Sequence, residues 1–178
     1  PFVWIHLEDA VNARWWRSYG SRNTRCLNQP YQHLTFKSII DRCSRDFNIC
    51  VIEDNDFQAL LPSWGVDLSQ IADPIRSHMR ELGMAELLFS YGGVRVPSSF
   101  LAFRSIKPIY DAAHSSRGGL AIANGQNQSG HGPPGDMVDG LWPRPRIMAS
   151  VPQGIAIRSY CDMLVQMNAS DLTAQSDF

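Results

Sequence analysis

Short apolar runs alternate with segments of helical periodicity along most of the chain. The runs Phe2–Leu7 and Phe47–Ile52 predict two buried strands, and Val94-Arg95-Val96 predicts a third strand. Between the first two, residues 30–43 repeat apolar positions at the spacing of a helix, namely Tyr31, Leu34, Ile39, Ile40 and Cys43. Helices between strands are typical of parallel sheets, so the pattern predicts an α/β fold with a mostly parallel sheet flanked by helices.

The segment from Asp73 to Phe100 predicts a helix, a glycine turn and a strand. Asp73 is a favourable N-cap, and Pro74 suits the first helical turn. The apolar positions of the predicted helix are Ile75, Met79, Leu82, Ala85, Leu88 and Phe89. Gly92-Gly93 ends this helix, and a strand follows.

The last third of the chain has a different composition. Residues 114–140 are rich in Gly, Ser, Asn and Pro, which indicates a long loop with one short strand at residues 120–123. A further strand is predicted at residues 147–149. A last helix is predicted at residues 153–167, with its inward positions at Ile157, Cys161, Leu164 and Val165.

Length and composition indicate one globular domain. The chain has 178 residues, of which 44% are hydrophobic and 19% charged, and we expect a domain at 1–168 with a loose tail at 169–178. The formal net charge of −1 gives no reason to expect a nucleic-acid partner. No run of about 18 apolar residues predicts a transmembrane segment. The chain begins at Pro1, so it is open whether it is part of a longer protein, and the compartment is undetermined.

Arginine is the main basic residue, and its distribution is uneven. The chain holds 14 Arg and 2 Lys, and residues 1–45 have a balance of +4. Because the guanidinium fork binds phosphate and carboxylate, this bias fits anion binding, although genomic composition explains it equally well. Arg14, beside Trp15 and Trp16, is a candidate to bind a phosphate while the indoles stack on a base. The alternative is that the tryptophans anchor a loop to the core.

Several familiar catalytic motifs are absent from the sequence. There is no Gly-x-Ser-x-Gly elbow, no phosphate-binding Gly-x-x-x-x-Gly-Lys loop and no His-Glu-x-x-His helix. The four cysteines do not have the spacing of a zinc site. The carboxylates that follow the second predicted strand are more informative. Asp54 and Asp56 stand where ligands gather in α/β sheets, and they are either helix caps or an alternative site for Mg²⁺ or Mn²⁺.

The segment around Tyr91 resembles a family of sugar transferases. The matching residues are Leu87, Leu88, Tyr91, Gly92, Gly93 and Val94. They resemble the transferases that carry an Asp-x-Asp motif, including capsular-polysaccharide synthesis proteins, which have the nucleotide-diphospho-sugar transferase (GT-A) fold. The resemblance implies a strand that ends in two aspartates, a divalent metal (Mn²⁺ or Mg²⁺) held by them, and a nucleotide sugar held by the metal. Here Pro97 and Ser99 occupy the aspartate positions.

The same resemblance implies which residues face a nucleotide sugar. His6, at the end of the first strand, would contact the base or ribose, although a hydrogen-bonded core histidine is an equal expectation. Asp73 and Arg80 would face the nucleotide from the helix, and the alternative for Arg80 is a solvated surface pair with Glu81. The candidate substrate-binding residues are His6, Arg14, Asp73, Arg80, Tyr91, Gly92, Gly93 and Ser99. No catalytic residue is assigned.

Two functions are consistent with this sequence. The first is a glycosyltransferase that binds a nucleotide sugar and transfers its sugar to an acceptor, with arginines or an unusual carboxylate set in place of the aspartate pair. The second is a transferase-like domain without activity, which serves as a structural or assembly component and binds protein partners. A fold alone does not decide between them.

Overall fold

The structure is a computed structural model that describes residues 1–7, 30–124 and 143–170. The strands are β1 (Phe2–His6), β2 (Asn48–Ile52), β3 (Gly93–Pro97), β4 (Leu120–Asn124) and β5 (Pro143–Ser150). The α-helices are α1 (Pro30–Cys43), α2 (Asp56–Leu60), α3 (Ile75–Tyr91), α4 (Lys107–Ser115) and α5 (Ile155–Ala169). A single 3₁₀ turn covers Leu68–Gln70. Among the helices described, none combines the length and apolar character needed to cross a membrane.

The strands form one mixed sheet in the order β2-β1-β3-β5-β4. β1 pairs in parallel with both β2 and β3, whereas β5 is antiparallel to both β3 and β4. The predicted α/β class, with helices flanking a sheet, is therefore confirmed. The prediction of a mostly parallel sheet is wrong, because β5 runs antiparallel to both of its neighbours, β3 and β4.

Helices cover both faces of the sheet. Alternate residues of a strand point to opposite faces, and Val3 and Val94 accordingly pack in one core cluster with residues of α1 and α4. Trp4 and Met148 pack in the other cluster with residues of α2, α3 and α5. We call this second side of the sheet the α3 face.

Helix α3 is buried nearly all round in its middle, because it lies against the sheet, α2 and α5. Its buried side chains between residues 82 and 88 are Leu82, Met84, Ala85, Leu87 and Leu88. The absence of a side chain at Gly83 admits the ring of Phe57, which would lie 2.8 Å from an added Cβ. Ile75, predicted to face the core, is 47% exposed because the first turn of the helix extends past the core.

The inward positions of other elements differ from the prediction. In α1, Ile39 and Cys43 are buried as expected, but Leu34 and Ile40 are exposed. The buried stripe instead runs through Thr35, four residues before Ile39. The side chain of Tyr31 lies outside the described residues. Three further predictions need correction: Val165 is exposed, β2 is an edge strand whose only buried residue is Ile52, and α4 occupies the start of the predicted long loop.

The order of the strands creates a topological switch point at β1. From β1 the chain passes through α1 to β2 on one side, and then through α2 and α3 to β3 on the other side. The three parallel strands end side by side at His6, Ile52 and Pro97, and we call this the carboxyl edge of the sheet. Open α/β sheets bind ligands at the carboxyl ends of strands beside such a switch point.

The opposite edge depends on the glycine pair Gly92-Gly93, which lies between α3 and β3 and whose second member begins β3. Gly92 and Gly93 both have positive φ angles, of 67° and 111°. The indole Nε1–H of Trp4 donates to the carbonyl of Gly92 over 2.9 Å in the core. A Cβ on Gly93 would lie 2.3 Å from the carbonyl oxygen of Phe2. The pair therefore lets α3 end directly against β1.

We expect Gly93→Ala to destabilise the protein by about 2 kcal/mol or more, since it combines a strained φ angle with a backbone clash. Gly65→Ala is the matched control, because an added Cβ there meets nothing within 4 Å. Urea unfolding of the two variants measures the difference. Equal free energies of unfolding would show that the close approach of β3 to β1 is not needed.

Candidate functional site

Three polar side chains meet at the switch point on the carboxyl edge. His6 ends β1, Asp54 stands two residues beyond β2, and Arg80 extends from the second turn of α3. Arg80 donates through Nε and Nη2 to the two oxygens of Asp54, over 2.8 and 2.6 Å. His6 Nε2 lies 2.9 Å from Asp54 Oδ1. Asp54 thus joins a strand and a helix that are remote in sequence.

This cluster is largely withdrawn from solvent. The side chains of Asp54 and Arg80 are 17% and 9% exposed, and the His6 ring stacks on Phe57 at 5.4 Å between centroids. Burial raises the pKa of Asp54, but the hydrogen bonds and charge of Arg80, helped by His6, outweigh burial and hold that pKa below its ordinary value. An ionised carboxylate only accepts hydrogen bonds, so His6 Nε2 carries the proton that it donates to Asp54.

A second polar cluster lies next to the first on the α3 face. Arg95, in the middle of β3, binds both oxygens of Glu81 over 2.5 and 2.6 Å, and the hydroxyl of Tyr160 donates to the same carboxylate over 2.9 Å. Burial raises the pKa of Glu81, yet Arg95, Tyr160 and the charge of Arg146 together lower it. Burial beside that carboxylate raises the pKa of Tyr160.

The two clusters overturn the surface alternative for Arg80. Arg80 is 7% exposed and binds Asp54, whereas the adjacent Glu81 binds Arg95. Two consecutive residues of α3 therefore enter two different ion pairs. The result is a strip of alternating charge on the α3 face, which runs from the ends of β1 and β2 to the middle of β3 and contains Asp54, Arg80, Glu81 and Arg95.

Neither aspartate after β2 caps a helix. Asn55 stands at the N-cap position of α2 without a side-chain hydrogen bond, and Asp56 accepts the backbone N–H of Glu53. Asp73 does not cap α3 either, because its exposed carboxylate binds the side chains of Arg76 and Ser77. The capping predictions are wrong, because these carboxylates bind other donors: Asp54 binds Arg80, Asp56 binds the N–H of Glu53, and Asp73 binds Arg76 and Ser77.

The described residues at the carboxyl edge do not fit a divalent metal. Both oxygens of Asp54 accept hydrogen bonds from Arg80, and β3 ends in Pro97 and two serines. In the ranges 1–7, 30–124 and 143–170, no group of three or more His, Cys, Asp or Glu side chains is placed to hold a metal ion.

The other candidate residues are distributed over the molecule. Ser99 is exposed in the turn after β3 and shares the carboxyl edge with His6 and Arg80. Tyr91, Gly92 and Gly93 lie at the opposite edge, where the hydroxyl of Tyr91 donates to the carbonyl of Leu60. Arg14 lies outside the described residues. The structure therefore brings His6 and Arg80 together and separates them from the glycine pair.

The sequence identifies several polar residues of the site but not which of them bind each other. The contacts of Asp54 with His6 and of Glu81 with Tyr160 join residues 48 and 79 positions apart. The sequence did contain a signal for the Glu81–Arg95 pair, because Arg95 is a charged residue between two buried valines of a central strand. Such a residue needs a buried carboxylate partner.

Comparisons with known proteins identify no relative. No family model matches the chain, and no curated protein or solved structure matches it significantly.

We expect the Asp54–Arg80 pair to have a coupling free energy above about 1.5 kcal/mol, because the pair is bidentate and mostly buried. A double-mutant cycle with Asp54→Asn and Arg80→Met, measured by urea unfolding, gives this value. The control cycle uses Arg158 and Asp162, an exposed pair on α5, for which we expect at most about 0.5 kcal/mol. Equal couplings in both cycles would contradict a structural role for the buried pair.

We also expect the protein to lose stability in acid. The pKa values of Asp54 and Glu81 lie below their ordinary values of 3.8 and 4.5 in the folded state. Their stabilisation is therefore complete above those values and is lost as the pH falls through the lowered folded-state values. The free energy of unfolding of Glu81→Gln should fall less steeply between about pH 5 and pH 3 than that of the wild type. Parallel curves would contradict the contribution of Glu81.

Proposed function

We propose that this domain is a glycosyltransferase-like protein that binds a nucleotide sugar at the carboxyl edge and transfers the sugar to an acceptor. The observation that carries the proposal is the meeting of His6, Asp54 and Arg80 at the switch point of the sheet. Ligands of open α/β sheets gather at such a point. The resemblance around Tyr91 supplies the substrate class.

The residues at this edge have separate roles in the proposal. His6 contacts the base or ribose from the end of β1, in an orientation fixed by Asp54. Arg80 holds Asp54 ionised and so keeps His6 in place. Ser99 lies in the exposed turn at the end of β3, where its hydroxyl is available to a ligand. Departure of a nucleoside diphosphate concentrates negative charge, which guanidinium groups at the same edge would stabilise.

One observation favours the second candidate, an inactive domain with a structural role. The charged groups at the carboxyl edge bind each other, with Asp54 on Arg80 and Glu81 on Arg95. Closed ion pairs of this kind hold elements together without a ligand. In this alternative the edge is a structural clamp, and the partners of the domain are other proteins in an assembly.

Calorimetric titration of the full chain with a panel of UDP-sugars and GDP-sugars, with and without Mn²⁺, tests the proposal. We expect binding of at least one donor, and about tenfold weaker binding by His6→Ala, which is the loss of one good contact or 1.4 kcal/mol. His114→Ala is the control, since His114 is exposed in the last turn of α4 at the opposite edge.

No heat from any donor would favour the structural alternative over an enzyme. Equal weakening by both histidine variants would place the ligand away from His6. Thermal unfolding of each variant shows whether a change in affinity comes from a change in fold.

A further inference from the structure

Strand β5 departs from regular pairing close to the carboxyl edge. Ile122 of β4 pairs with Met148, but the next residue, Ala123, pairs with Arg144. Three residues of β5, at 145–147, therefore have no counterpart in β4. Bulges of this kind redirect side chains and are common beside functional sites.

Arg146 lies in the middle of this bulge. Its side chain is exposed, and in the described part of the chain it forms neither a hydrogen bond nor an ion pair. It stands two residues before Met148, which pairs with Arg95 of β3, so in the antiparallel register it lies from Arg95 toward the carboxyl edge. Its charge contributes to lowering the pKa of Glu81. The bulge thus brings an arginine from β5 to the same strip of charge as β3 and α3.

Among the residues that the structure describes, this strip holds three arginines and two carboxylates. Arg80 pairs with Asp54, and Arg95 pairs with Glu81. Arg146 adds a positive charge that the described residues leave unpaired. An exposed guanidinium is free to turn toward a ligand, and its planar fork binds two oxygens of a phosphate at once.

We infer that Arg146, supported by Arg95, binds the diphosphate of the ligand at the carboxyl edge. This inference rests on the proposed function and extends it to a residue that the sequence pattern did not identify. Arg95 is held in place by Glu81 and contributes a positioned charge, whereas Arg146 binds the ligand from β5. The arrangement supplies positive charge beside Pro97 and Ser99 from side chains alone.

Titration of the full chain with inorganic pyrophosphate, UDP, GDP, uridine and guanosine tests this inference. We expect Arg146→Ala to weaken pyrophosphate and nucleoside diphosphate binding at least fivefold, and to leave binding of the plain nucleosides unchanged. Arg146→Lys should restore part of the lost affinity. The matched control is Arg117→Ala, since Arg117 is exposed in the turn before β4 at the opposite edge, and we expect its affinities to stay within twofold of the wild type.

The outcomes separate the inference from the proposed function. Nucleotide-sugar binding that Arg146→Ala leaves unchanged would overturn the inference and keep the function. Pyrophosphate binding that depends on Arg146, without binding of any nucleotide sugar, would support the anion site and contradict the proposal that the ligand is a nucleotide sugar. Equal losses in Arg146→Ala and Arg117→Ala would show general charge attraction and overturn the inference, as would no binding of pyrophosphate by the wild type.

Discussion

The bidentate ion pair between Asp54 and Arg80 is the interaction on which the carboxyl edge depends. It connects the loop after β2 to α3 across the end of β1, and His6 completes it. Without Arg80, the mostly buried carboxylate of Asp54 would keep His6 as its one partner among the described residues, which is costly. The pair fixes the second turn of α3, and the adjacent Glu81 then reaches Arg95 in β3. This one contact between a loop and a helix therefore positions the polar side chains at the ends of β1 and β2 and in the middle of β3.

Part of this fold could be predicted from the sequence because part of it is encoded locally. The run that forms β1 is short and apolar, β3 follows a pair of glycines, and the bounds of α1 coincide with those of the helical periodicity in residues 30–43. Which face of a helix is buried is harder to predict, because Leu34 and Thr35 lie one position apart and only packing decides which of them is buried. The direction of β5 depends on its neighbours in the sheet, and no local pattern contains that information.

The site was predictable as a list of residues but not as a set of contacts. His6, Asp54 and Arg80 are each identified by sequence position, but their meeting depends on the register of β1 against β2 and on the packing of α3 against the sheet. Arg146 has no sequence signal, because its position follows from a bulge in β5. The remaining question is whether this edge, with its paired charges, takes up a ligand.

Chemical-shift mapping of the isotopically labelled chain with UDP and GDP answers that question most directly. If the carboxyl edge is the binding site, the amide signals that move should cluster at the ends of β1, β2 and β3, at His6, Asp54 and Ser99. Shifts confined to the opposite edge, around Gly93 and Gly119, or no shifts at millimolar ligand, would contradict the account.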